Sequence, residues 1–176
     1  MNGLMMDYPL TLDRILEHSL RLHHGKKLLT KLPDGTLHTY TYRDFYRRAK
    51  KAAHALERLG VRRGDRVATF AWNNYQHMEL YYAIPCSGAV CHTLNIRLSP
   101  EELAFMIDHA EDQIVFIDGT LLPLIEKAAP QIKSVRHYVL FNAPENISTT
   151  IPNVLFYEPL LAQSSDEYEW KSDDER

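Results

Sequence analysis

Between Arg66 and Phe141 short apolar runs alternate with helix-like segments, and this alternation constrains the fold more than any other feature of the chain. Arg66–Ala71, Ala89–Leu94, Gln113–Ile117 and Ser134–Phe141 are rich in β-branched and aromatic residues and too short for helices. Segments 75–88, 100–110 and 120–129 read as helices between them. Strands separated by helices pair in parallel, and such a sheet needs helices over both faces. The expected fold class is therefore α/β, a largely parallel sheet flanked by helices, with right-handed crossovers.

Local signals place the boundaries. Asn73 and Asn74 break the first run, and Pro85 should kink or shorten the helix that follows. Ser99-Pro100-Glu101-Glu102 joins a cap, a proline at the first helical position and acids in the first turn. Asp118-Gly119 closes a strand, and Pro130 lies beyond the last predicted helix.

Upstream, Thr11 is placed to cap a helix running to about His24, with Gly25 as its stop. Lys27–Leu32 and Thr36–Tyr40 flank Pro33-Asp34-Gly35 and predict a β-hairpin. Thr41 opens a second helix with Asp44 as its capping-box partner. Phe45, Ala49, Ala52, Leu56 and Leu59 form its apolar stripe, and Arg43, Arg47, Lys50, His54 and Arg58 lie opposite. Gly60 ends it.

Size and composition set the class. A chain of 176 residues, 45% hydrophobic and 24% charged, is one ordinary domain that needs no disulfide or metal staples. Cys86 and Cys91 make neither a disulfide framework nor a zinc site and point to a reducing compartment. A net charge of −3 argues against a dedicated nucleic-acid binder. No apolar run reaches the ~20 residues of a membrane span, and the first twelve residues lack a secretory h-region. The expected location is the cytoplasm, without a transmembrane segment.

A nucleotide enzyme needs a phosphate cradle, which glycines supply by letting backbone N–H groups approach. None of the seven glycines forms a Walker loop or a G-x-G-x-x-G fingerprint. Gly60-Val61-Arg62-Arg63-Gly64-Asp65 joins a helix to a strand, the opposite junction from a phosphate loop. His77, His92, His109 and His137 stand alone in sequence, and Ser87 lacks the nucleophile-elbow pattern. Nine Lys/Arg from Arg43 to Arg66, against Asp44, Glu57 and Asp65, form either a wet helix face or a surface for anionic lipid, coenzyme phosphates or RNA. From Gln163 to Arg176 six acids face two bases, which predicts a solvated tail or a linker. The residues alone thus describe an α/β domain with no self-contained active site.

Several phrases together resemble the N-terminal part of AMP-forming fatty-acyl-CoA synthetases, members of the adenylate-forming superfamily. Thr41-Tyr42-Arg43-Asp44-Phe45 resembles their first helix start, and Leu59-Gly60-Val61 with Gly64-Asp65-Arg66-Val67 resembles their L-G-V-x-x-G-D-R-V connector. Asn74, Glu79, Tyr82-Ala83 and Gly88-Ala89-Val90 match the next helix and turn. His92 to Glu101, with Asn95, Arg97 and Pro100, resembles the N-P-R-L-S-P-E segment, and His109-Ala110-Glu111-Asp112 and Asp118 match the following helix and strand ends. Ile96 departs from the usual proline, and Cys86 from a frequent glycine.

The likeness runs from about Leu4 to Leu161 and is greatest to bacterial medium- or long-chain fatty-acid–CoA ligases. It implies an incomplete N-terminal α/β subdomain over 1–162 and an acidic tail or truncated linker over 163–176. It implies a parent enzyme that uses ATP and Mg²⁺ to make an acyl-adenylate, from which coenzyme A takes the acyl group. The phosphate loop, the adenine pocket and the Mg²⁺-binding glutamate of that family lie beyond these residues. The chain is therefore expected to hold no catalytic, cofactor-binding or metal residue of its own and to be inactive alone. Thr41, Gly60, Gly64, Asp65, Arg66, Asn74, Glu79, Gly88, Asn95, Arg97, Pro100 and Asp112 are expected as scaffold positions. Homodimer contacts are expected on the first helix at Asp13, Arg14 and Glu17, which could equally pack on their own domain. A ligase for aryl or other carboxylates, and a non-catalytic dimerisation or binding module, are the competing readings.

Overall fold

The computed structural model describes residues 9–172. Helix α1 (Leu12–His23) leads into an antiparallel hairpin of β1 (Lys27–Lys31) and β2 (Leu37–Thr41), then α2 (Tyr42–Arg58). There follow β3 (Arg66–Phe70), α3 (Tyr75–Cys86), β4 (Val90–Thr93), α4 (Pro100–Ala110), β5 (Ile114–Asp118), α5 (Leu122–Ala128), β6 (His137–Phe141), β7 (Leu155–Phe156) and α6 (Tyr157–Ala162). The main sheet has the order β4-β3-β5-β6-β7 and is parallel throughout.

Both faces of the sheet are covered, which explains why its strands read as unbroken apolar runs. In β5, Ile114 and Phe116 join a core formed with Leu56 of α2, Leu80 and Ile84 of α3, and Tyr157 and Leu161 of α6. Val115 and Ile117 point the other way, to Leu103 and Ile107 of α4 and Leu122 and Ile125 of α5. A third cluster joins Leu16 of α1, Tyr40 of β2, Phe45 of α2 and Cys86. Fully burying a side chain the size of Phe45 or Leu56 contributes about 1.5–3 kcal/mol, so Leu56 fixes α2 to the sheet and Phe45 fixes it to α1 and the hairpin.

The strongest local signals act as expected. Thr41–Asp44 and Ser99–Glu102 form complete capping boxes, with Pro100 in the first turn of α4. The hairpin turn is closed by Gly35 N–H donating to the Leu32 carbonyl and Thr36 donating to Asp34. Thr11 occupies the N-cap position of α1, but its side chain makes no capping bond.

Helix α3 ends at Cys86, just past Pro85 and short of Gly88, and the Ser87 N–H closes it onto Ala83 and Ile84. Three expectations change. The predicted helix 120–129 is broken into a 3₁₀ turn, α5 and a second 3₁₀ turn that contains Pro130. Strand β7 and helix α6 lie where no element was predicted. The segment expected to be solvated is docked from Ser164 to Ser172: Ser164 and Tyr168 are buried, and Trp170 packs on the third cluster.

Candidate functional site

Strand β3 has β4 on one side and β5 on the other, so the chain reverses direction across the sheet at the β3/β5 crevice. Parallel sheets take ligands at such a point, outside the carboxyl ends of the strands. Asp118 is the hub there. Its carboxylate accepts from the Thr120 N–H (3.0 Å) and hydroxyl (2.7 Å), from Asn74 Nδ2 (3.0 Å) and, more loosely, from Asn142 Nδ2 (3.4 Å). Asn74 spends its other end capping α3, where Oδ1 accepts from the His77 N–H.

The His77 tautomer follows from its partners. Nδ1–H donates to the Trp72 carbonyl (3.1 Å) and Nε2 accepts from the Thr69 hydroxyl (3.0 Å). Burial lowers its pKa and keeps the ring neutral. Tyr81 stacks on it at 4.4 Å. Trp72 stands half-exposed at the rim, its Nε1–H donating to Thr120 Oγ1 (3.1 Å).

This rim does not fit a triphosphate. Asp118 would oppose it electrostatically, and the donors nearby already serve Asp118. Gly119 is fixed by packing, since a Cβ there would sit 2.5 Å from Ala143 Cβ. Among the described residues, none of the strand-to-helix turns offers a glycine-rich run of N–H groups. No chemical step is therefore assigned to ATP or Mg²⁺ on these residues. The arrangement is a hydrogen-bonded rim centred on Asp118.

A second polar constellation lies between α2, α3 and α6. Arg48 Nε donates to Glu79 (2.7 Å), and its two terminal nitrogens form a fork on Glu158 (2.9 and 2.8 Å). The Tyr157 hydroxyl donates to the other Glu79 oxygen (2.8 Å), and Gln76 donates to Glu158 (3.0 Å). The Arg48 guanidinium lies 5.5 Å from the Tyr75 ring. The Glu79 side chain is 0% exposed, and burial raises its pKa against the pull of Arg48 and Tyr157. Glu158 keeps half its surface in water; desolvation opposes it, but Arg48 holds its pKa below the ordinary value. The network bolts three helices together, and the sequence signalled only Glu79 of it.

Several of the residues in the matched motifs make local contacts. Thr41 and Pro100 start helices. Gly60, Gly64 and Gly88 all have positive φ, and the Gly64 N–H donates to the Gly88 carbonyl (2.8 Å), closing the β3 entry on the end of α3. Asp65 accepts from the Arg62 N–H (2.9 Å). Arg66 clamps the end of α4 through the Ala110 carbonyl (2.6 Å) and Glu111 (2.8 Å). Asn95 accepts from the Arg97 N–H (3.0 Å), which shapes the turn before α4. Asp112 is fully buried and meets His92 Nδ1 at 2.7 Å; desolvation raises its pKa, and one carboxylate oxygen has no partner. The structure thus unites His92 with Asp112 and Asn74 with Asp118, pairs that linear spacing did not reveal.

The basic face of α2 is occupied by the chain itself. Arg47 pairs with Asp166 (2.6 Å), Arg58 donates to the Gln163 carbonyl (2.8 Å), and the Ser165 N–H donates to His54 Nδ1 (2.9 Å). Lys50 lies over the Tyr46 and Trp170 rings, and Lys171 pairs with Glu57 (2.7 Å). Residues 163–172 therefore run over the basic face of α2, where Asp166 pairs with Arg47, a third outcome beside the wet face and the anion surface. On α1, Arg14 and Glu17 form an exposed pair (3.4 Å), while Asp13 is half-buried with one carboxylate oxygen shielded from water.

Comparison with known proteins agrees with this scaffold. Residues 16–171 match the AMP-binding enzyme family. The chain is 37% identical over 99% of its length to a 3-methylmercaptopropionyl-CoA ligase of Ruegeria lacuscaerulensis, of which it covers 33%. It is 41% identical over 92% of its length to a long-chain-fatty-acid–CoA ligase of Thermus thermophilus, of which it covers 29%. A solved anthranilate CoA ligase in complex with anthranoyl-AMP superposes with a TM-score of 0.83 at 21% identity, over 99% of this chain and 32% of that one. The chain spans about a third of the length of the relatives it matches. With the parallel sheet, the three-helix bolt and the glycine-closed connector in place, the chain belongs to the AMP-binding enzyme family.

Proposed function

We propose that this chain is the N-terminal scaffold of a cytoplasmic acyl-CoA ligase that joins a fatty or related aliphatic carboxylate to coenzyme A through an acyl-adenylate, with ATP and Mg²⁺. The observation that carries this is the 41% identity to a long-chain-fatty-acid–CoA ligase across nearly the whole chain. The chemistry is coherent. A carboxylate is a poor electrophile, and adenylation gives it a good leaving group before a thiol attacks. The part of these residues is to hold the sheet rim and the three-helix bolt rigid, because positioning to a fraction of an ångström governs such transfers.

Two measurements test the reading. The 176-residue chain is expected to show no ATP–pyrophosphate exchange with any fatty acid; robust exchange overturns the scaffold assignment. Fusion of this chain to the complementary two-thirds of the Thermus thermophilus ligase is expected to restore acyl-CoA formation from a fatty acid. A folded fusion that binds ATP yet forms no acyl-CoA would overturn the scaffold assignment.

A further inference from the structure

We infer that the outer face of the β1–β2 hairpin docks on an anionic lipid surface. The inference stands apart from the ligase reading. The hairpin buries one face and leaves the other bare: Tyr40 packs inward with His38 and Tyr75, while Lys27, Leu29 and Lys31 of β1 and Leu37 and Thr39 of β2 face out. Leu29 and Leu37 are 64% and 65% exposed. Lys31 pairs with Leu37 and Leu29 with Thr39, so the two leucines are diagonal neighbours, Leu29 between Lys27 and Lys31 and Leu37 opposite Lys31.

The charge is equally one-sided. From Arg21 to Lys31 the chain carries Arg21, Lys26, Lys27 and Lys31 and no carboxylate, although its net charge is −3. Arg21, Leu22, Lys26 and Lys27 are all exposed at the joint between α1 and the hairpin. Asp34, the acid of the turn, is engaged by Thr36.

Aliphatic tips flanked by lysines fit a membrane surface. Leucines enter the acyl boundary while cations stay at the headgroups, each basic residue adding to the attraction of an anionic leaflet. A protein partner would be read by aromatic and arginine anchors, and lysine is depleted at such interfaces.

The test is co-sedimentation of the 176-residue chain with phosphatidylcholine vesicles, with and without phosphatidylglycerol. Binding is expected only with phosphatidylglycerol, weakening as salt rises. K27A/K31A should weaken it about thirtyfold and L29S/L37S about tenfold, with the melting temperature of each variant close to the parent's. No binding, or binding unchanged in both variants, overturns the inference. So does a chain that is dimeric in solution and becomes monomeric in L29S/L37S, because the face is then a self-interface.

Discussion

Replacing Arg48 by methionine isolates the energetics of the three-helix bolt. Methionine keeps much of the arginine stem, so packing loss is small. The change strands Glu79, which is fully buried and loses its ion pair with Arg48 while keeping the Tyr157 hydroxyl. An unpaired buried charge of this kind costs about 3–5 kcal/mol. The lost fork on Glu158 adds little, because that carboxylate is half in water, and the lost contact with the Tyr75 ring adds about 0.5–1 kcal/mol. We expect Arg48→Met to destabilise the chain by about 4 kcal/mol, read by urea denaturation at neutral pH. The loss should shrink as pH falls. Without its partner, Glu79 has a folded-state pKa raised further above its unfolded value, so the native state takes up a proton that the unfolded state does not. That returns up to about 1.4 kcal/mol per pH unit. The double variant R48M/E79M should recover at least half of the loss, since an apolar pair leaves no charge behind. A cost under ~1 kcal/mol for Arg48→Met, or a double variant as unstable as the two single changes added together, would refute this account.

Three further outcomes are expected. Gly119→Ala should cost about 1–3 kcal/mol, because the new methyl meets Ala143 Cβ and the Asn142 carbonyl with backbone on both sides; thermal melting reads it. Tyr168→Ala should cost about 3 kcal/mol or more and expose residues 163–172 to limited proteolysis, since Tyr168 is 5% exposed against the main core; unchanged cleavage there would show that the segment is held by its ion pairs alone. Acid should destabilise the chain: despite the desolvation of Glu158, contacts with Arg48 and Arg47 hold the pKa values of Glu158 and Asp166 below the ordinary carboxylate range, so their contribution is full above about pH 4.5 and is lost as pH falls through the folded values. Replacing Glu158 by Gln should flatten that acid limb in a stability–pH profile.

The sheet and the helix starts were legible because they are written locally. Thr41 with Asp44 and Ser99 with Glu102 are three residues apart, and the strand runs carry their own length and composition. The polar constellations were not, because their members lie far apart: Arg48 and Glu79 by 31 residues, Tyr157 and Glu79 by 78, Arg48 and Glu158 by 110. Strand β7 escaped because two residues carry no periodicity. The basic face of α2 and the acidic 163–172 segment are each visible as a charge run, the first open between a wet face and an anion surface and the second between a solvated tail and a linker. Their juxtaposition, as in Arg47 with Asp166 across 119 residues, belongs to the tertiary fold. The resemblance motifs gave the family, and the structure adds contacts for some of their residues, such as the Arg66 clamp on Ala110 and Glu111.

The docking of Trp170 has a consequence for biosynthesis. Its indole packs on the cluster that also holds Leu16 of α1, and the Lys171 N–H bonds to the Cys86 carbonyl at the end of α3. The inner seat of the first helix is therefore completed by residues translated more than a hundred positions later. While the nascent chain is still emerging from the ribosome, α1 has its apolar side only partly sheltered, and closing so long a loop carries an entropic cost set by the intervening length. We expect that early helix to stay accessible to a chaperone until Trp170 clears the exit tunnel.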